Sequence, residues 1–369
     1  MTITGLSLSG ADAGNYTLNS YTTTADIDKR SVTLTAPSVT KAYDGLTTYT
    51  VTAGNLTSIG STLVGSDTVT AATITYANKN VGAGDRTVTL SGVTISDGNS
   101  GNNYTVTLAG NSSSTITRQS SVTWIGGSTG DWFNPANWAV TGTSTPGAVP
   151  DLANVQAVVI GSGKTVTFDD SSAGRTSPAS TGLVEITTLS GGGSLTVTNG
   201  SLSATSLSIV QLNSSSGTTI TASSGITVAP ATGTTDTIAG VLAGDGTLTK
   251  NGAGTTILTG ANTYSGATTI GSGVLQVGNG STVGAISMAG IANNGELVAN
   301  LSSDIGLSQN ISGSGVLTQS GSGTLTLSGA NTFTGGVNLN SGYVLLNSSG
   351  AIGSSGTISF NSGTLQLIS

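Results

Sequence analysis

Residues 252–278 read GAGTTILTGANTYSGATTIGSGVLQVG, and residues 321–347 read GSGTLTLSGANTFTGGVNLNSGYVLLN. One constant offset relates them: Gly252 falls on Gly321, Leu258 on Leu327, Asn262 on Asn331, Tyr264 on Phe333 and Gly273 on Gly342. The register starts at Gly244 on Gly313 and holds to Gly284 on Gly353, after which it slips by one residue. A fixed internal period signals an architecture built by stacking, in which each unit buries its apolar face only against its neighbours. Neither copy contains an acid, a base, a His or a Cys, so the repeat is read as folding information and not as chemistry.

Within one copy, TTIL, ATTI and VLQV read as short strands, separated by TGANTYSG, GSG and GNGST. Gly, Asn and Ser accept the backbone angles of tight turns at little cost. Strands of this length cannot bury a face alone. Stacked in register at about 4.8 Å, they pile Ile, Leu and Val into inward columns and leave Thr and Ser outside. The pattern therefore predicts a right-handed parallel β-helix (solenoid). The 69-residue period then suggests three coils of about 23 residues, and roughly eleven coils in all at that spacing. An antiparallel β-sandwich array is the alternative.

Composition supports an all-β reading and narrows the function. Charged residues are 7% of the chain, against a norm of roughly 25%, and no stretch carries apolar residues at helical spacing. The net charge is −7 with only nine Lys and Arg, which argues against a nucleic-acid partner. No window holds 18 consecutive apolar residues, so no transmembrane helix is expected. The opening MTITGLSLSG has neither the basic nor the long apolar region of a signal peptide. The absence of Cys fits an exported bacterial chain that crosses membranes unfolded.

A second repeat lies at the other end, where GLSLSGADAGNYTL (residues 5–18) matches GVTISDGNSGNNYTV (residues 92–106), with Tyr16 on Tyr104. Both termini read as cut points in a longer array. Four segments follow: 1–26, the tail of a preceding module; 27–118, a compact all-β module, a β-sandwich or β-grasp-like bead; 119–235, a Trp-rich cap and the first coils; and 236–369, the repeat solenoid. The bead contains KAYDG (residues 41–45), read as an Asp-Gly turn.

These phrases carry resemblances. The pattern G-x-G-T-L-x-L-x-G-x-N-T-Y-x-G, met twice, resembles the autotransporter-associated β-strand repeat of passenger domains. KAYDGLTTYTV, LVGSDTV, YANKNVGAGDRTVTLSGVTIS and NNYTV resemble the YDG-type module of bacterial surface exoproteins, named for Tyr43, Asp44 and Gly45. The Trp segment, with NPANW and VPDLANV, is similar to a junction in filamentous-haemagglutinin-like exoproteins. The resemblances imply a secreted or cell-surface bacterial adhesin exported across the outer membrane. No secretion-signal domain and no membrane barrel is seen in the sequence, so the choice between two-partner and autotransporter export stays open.

Chemistry-bearing candidates are few. Asp169, Asp170 and Arg175, with Lys164 nearby, form the densest charged group of the solenoid region and suit a β-helix polysaccharide lyase or hydrolase. The competing reading is a solvated turn. Asp97, Asn99 and Gly101 have spacing faintly like a calcium loop but lack the Glu at its twelfth position. Gly244–Gly246 lacks the Lys-Ser/Thr of a phosphate loop, and no His is present to activate a Ser. Trp124, Trp132 and Trp138 are read either as a glycan-stacking platform or as a cap on the first coil. The expected function is a non-catalytic adhesive stalk for cell-surface or biofilm attachment, without cofactors or metals. Its expected partners are surface or matrix glycans, or sister molecules, with an outer-membrane transporter for export. The alternative is the polysaccharide-active enzyme. Rows of outward Thr also raise ice or mineral binding, which would need one flat, regular face.

Overall fold

The computed structural model describes residues 6–19, 27–171, 183–280, 284–354 and 357–367. Of the described residues, about 48% are strand and 5% helix. It divides into two compact units, one of Met1–Val39, Thr47–Asn78 and Gly84–Ser114, the other of Thr40–Leu46, Lys79–Ala83 and Thr115–Ser369.

In the first unit Arg30–Thr35 pairs in parallel with Tyr104–Ala109, Val32 opposite Val106 and Leu34 opposite Leu108. Thr68–Tyr76 runs antiparallel to Gly82–Ser96 and to Thr48–Tyr49. Val32, Leu34, Ile59, Val69, Ile74, Tyr76, Val88 and Leu90 form the core. The Tyr76 hydroxyl, inside that core, donates to the Val39 carbonyl at 2.9 Å. One short helix, Ala53–Ile59, escaped the sequence reading. So short a segment gives a 3.6-residue period no room to register. Its signal is a capping box: the Asn55 amide donates to the Thr52 hydroxyl, and the Asn55 side chain accepts from the Thr52 amide.

The second unit is a parallel β-solenoid of about nine turns. Its first face runs through Val155–Val159, Leu183–Ser190, Ser201–Ile209, Thr219–Val228, Thr247–Lys250, Thr268–Ile270, Ile291–Asn293 and Ile311–Ser312. Its second face includes Thr165–Asp169, Ser194–Asn199, Thr255–Leu258, Val274–Val277, Glu296–Ala299, Val316–Gln319 and Val337–Leu339. A third face, Ile305–Leu307, Thr324–Leu327, Tyr343–Leu346 and Thr364–Leu367, is strand-paired in the later coils. The expected strands TTIL, ATTI and VLQV are present as Thr255–Leu258, Thr268–Ile270 and Val274–Val277. Inward columns form as expected: Leu275, Leu297, Leu317 and Val337 stack on the second face, all buried.

The coil length differs from expectation. Thr235 pairs with Thr255, Thr255 with Val274, Val274 with Glu296 and Glu296 with Val316. One coil therefore takes about 20 residues, at the short end of the range for stacked repeats. Three coils carry Thr255 to Val316, and the chain then rounds a corner to reach Thr324. The repeat period is thus three coils and one face. Each copy of the phrase is turned onto the next side of the prism: Thr255–Leu258 lies on the second face and its counterpart Thr324–Leu327 on the third.

The side chains confirm the equivalence. Asn262 accepts from the Leu242 amide at 2.8 Å and donates to the Ala285 carbonyl at 2.9 Å, tying a coil to both neighbours. Asn331 does the same with Ile311 and Ala351 at 2.8 and 2.6 Å. Lys250, wholly buried, donates to the carbonyls of Asn251, Gly252 and Ser272 at 2.9–3.1 Å. Its counterpart Gln319 closes the same kind of corner on Gly321 and Gly323.

One pair changes in concert. Tyr264 and Thr268 share a hydroxyl–hydroxyl hydrogen bond at 2.8 Å, and both are buried. The second copy holds Phe333 and Val337 there, also buried. Removing one partner of a buried hydrogen bond strands the other, whereas removing both can be nearly neutral. Tyr264→Phe and Thr268→Val should each cost about 1 kcal/mol, and the double variant clearly less than their sum. Denaturant titration of the four proteins measures this coupling. Strict additivity would refute it.

Candidate functional site

The tryptophan segment starts from alternation. In Gln119–Trp124, Val122 and Trp124 point inward. Trp138–Val140 lies antiparallel on the outer edge of that strand, with Trp138 opposite Trp124. Pro135–Asn137 forms a single 3-10 turn, capped by the Asn134 side chain on the Ala136 amide at 3.0 Å. That turn brings the chain from Trp132 back to Trp138. Thr129–Asp131 pairs with Thr165–Asp169 and so aligns Trp132 above Phe168.

The rings pack edge to face: Trp124–Trp138 at 5.1 Å, Trp132–Trp138 at 5.1 Å and Trp132–Phe168 at 5.4 Å between centroids. Each indole N–H is satisfied, Trp124 on Gly127, Trp132 on Pro150 and Trp138 on Trp132. Exposure is 4% for Trp124 and 0% for Trp132 and Trp138. A Cβ on Gly126 would stand 2.8 Å from the Trp124 ring, which explains Gly there. A stacking platform needs an open ring face, and these rings present none to solvent.

Of the charged group, Asp169 and Lys164 each hold partners of their own. Asp169 accepts from the Ser171 amide at 3.0 Å and the Ser171 hydroxyl at 2.6 Å, and those bonds hold its carboxyl below the usual carboxylate range. A glycosidase general acid needs the opposite shift. Lys164 stands just before Thr165–Asp169, roughly 16 Å from Asp169 along an extended strand. Its ammonium donates to the Gly126 carbonyl at 3.3 Å. Arg175 lies outside the described residues. The calcium-like loop closes on itself: Asp97 accepts from the amides of Asn99, Gly101 and Asn103 at 2.8, 2.7 and 3.0 Å. Among the described residues no group of three or more metal-ligating side chains comes together, and no helix is long and apolar enough to cross a membrane.

The KAYDG turn belongs to the compact unit of the solenoid. Lys41 bridges Asp44 and the Leu46 carbonyl, both at 2.7 Å, and Asp44 accepts from the Leu46 amide. Gly45 has φ +80°, and a Cβ there would collide with the Gly147 carbonyl. Tyr43 is fully buried and donates to Val149 at 2.8 Å. Burial, with Asp151 and Asp44 nearby, pushes its hydroxyl pKa up.

Two features escaped the sequence reading. Asp236 and Lys250 stand inside the solenoid, both fully buried. Their signal is phase, since in TDTI and TLTK they occupy the inward positions of the alternation. Outward hydroxyls also stack on the first face, as Ser190, Ser208, Thr227, Thr249 and Thr269. Unequal coil lengths hide that column in the sequence.

Residues 28–115 match the YDG domain, and residues 248–277 and 317–346 each match the passenger-associated-transport-repeat. The two repeat matches begin at residues 248 and 317, in register with the internal period. The chain is similar to the adhesin BmaC autotransporter of Brucella suis biovar 1 (strain 1330), 42% identical over 84 residues. Those residues make up 22% of this chain and 2% of that protein. The matches support an autotransporter-type surface protein with a YDG module. They also support a secreted, cell-surface location. No solved structure matches the chain.

Proposed function

We propose that this chain is a non-catalytic part of a cell-surface adhesin, a YDG bead over residues 27–118 followed by a solenoid stalk over residues 119–369. The carrying observation is the transport repeat, matched twice at the 69-residue internal period. Like segments stacked in coils give reach and a repeated surface, and tandem weak contacts raise effective concentration at a target. Surface or matrix glycans, or sister molecules, are the partners proposed, and attachment of cells or biofilm is the role. Trp124, Trp132 and Trp138 close the first coil, whose columns and strand edge would otherwise meet water. Their burial supports that reading.

The rotation of the repeat bears on this function. The phrase reappears one face further on, so its two copies present similar features on adjacent sides of the solenoid.

Beads coated with the chain should attach to glycan-bearing surfaces above the level of uncoated beads, and equal attachment would overturn the adhesive reading. Incubated with polygalacturonate, the chain should release no unsaturated ends. Turnover abolished by Asp170→Ala would establish the enzyme instead.

A further inference from the structure

A groove of about 240 Å³ opens on the solenoid where the first face bends, lined by Arg118, Glu185, Ser203, Thr205, Thr221 and Ser223 among others. Three successive strands build it. Glu185 pairs with Ser203, and Ser203 with Thr221, one outward column crossing three coils. The register between Ser201–Ile209 and Thr219–Val228 shifts after Ala204, so Ser223 and Ser224 face Thr205 alone. Such a bulge re-aims side chains and recurs beside binding sites.

Arg118 is held rigidly. Its Nε and Nη2 donate to the Val155 carbonyl at 3.1 and 2.8 Å, and Nη2 donates to the Glu185 carbonyl at 3.0 Å. Among the described residues no hydrogen bond engages Nη1. Both Nη2 protons and the Nε proton are thus spent on backbone, and Nη1 alone keeps free N–H donors. A carboxylate is the partner to which Nη1 can give one charge-assisted hydrogen bond. The hydroxyls beside it both donate and accept, and the Glu185 carboxylate accepts only, as a polyol ligand requires. The column spans two strand spacings, roughly 10 Å, about the length of two linked sugar rings. A single cation is too little for a nucleic-acid backbone.

We propose that this groove binds an acidic glycan, a uronate carboxylate on Arg118 Nη1 and the neighbouring ring hydroxyls on Glu185, Ser203, Thr221 and Ser223. The proposal rests on the adhesive reading and gives it a site and a ligand class. Isothermal titration with tetragalacturonate should detect binding, and maltotetraose, which lacks carboxylates, should bind about tenfold more weakly or worse, the loss of one charge-assisted contact. Thr205→Trp fills the groove from an exposed position and should weaken tetragalacturonate binding at least tenfold at unchanged melting temperature. Thr221→Val, nearly isosteric, removes one proposed ring-hydroxyl partner and should weaken it in a correctly folded protein even if Thr205→Trp misfolds. No binding of tetragalacturonate at millimolar concentration, equal binding of both sugars, or equal affinity in both variants would each sink the groove. If beads coated with Thr205→Trp still attach to glycan surfaces as well as wild type, the adhesive reading survives and the groove does not. If wild-type beads attach no better than bare ones, both fall.

Discussion

Raising the pH from about 4 to about 7 should weaken the solenoid by about 2 kcal/mol through one side chain, Asp236. Asp236 is fully buried and pairs in register with Thr256, also fully buried. Its Oδ2 accepts from the Leu212 amide at 3.1 Å, while Oδ1 and the Thr256 hydroxyl have no hydrogen-bond partner among the described residues. Burial raises its pKa to about 6, against 3.8 in the ordinary case, and the Leu212 amide, the Gln211 side chain and, least, the Lys250 charge only partly oppose this. The sign follows from that order. The folded chain holds the proton more tightly than the unfolded one, so the stabilising contribution is full below 3.8 and is lost as pH rises through about 6. Chemical denaturation across this range checks the effect. Asp236→Asn should flatten the difference profile. A wild-type profile identical to that of Asp236→Asn would refute this account.

Trp132→Ala should cost about 3–5 kcal/mol, the range for deleting a fully buried large aromatic. The ring touches Trp138 and Phe168 and donates to Pro150, so truncation leaves a cavity and an unpaired carbonyl. A solenoid is stabilised coil by coil, so the loss should be local. Amide exchange should quicken in Gln119–Trp124, Val155–Val159 and Thr165–Asp169, with little change from Thr268–Ile270 onward. Uniform loss of protection would point to a single cooperative core. Unchanged melting would show that the Trp cluster does not close the first coil.

Much of the fold was legible in the residues. TTIL, ATTI and VLQV alternate and end at Gly, so short strands and turns follow from local physics, and a second copy of the whole phrase demands stacking. The coil length was not legible. A sequence period counts residues, not corners, and the phrase recurs after three coils and one face. The candidate site was less legible still. Trp124, Trp132 and Trp138 stood out by type, but an amphipathic ring serves a core and a glycan platform equally well until its burial is known. Arg118 drew no notice because its partners Val155 and Glu185 lie 37 and 67 residues away.

The sequence by itself determined that this chain is all-β and built of stacked units, because strand alternation and Gly turns are local properties that each segment carries whatever surrounds it. Only the tertiary structure decided that Asp236 and Lys250 are interior, that Asp169 and Lys164 stand apart, and that hydroxyls and one guanidinium nitrogen share a groove. Those are distances between coils, set by register and bulges that bring together residues far apart in the chain.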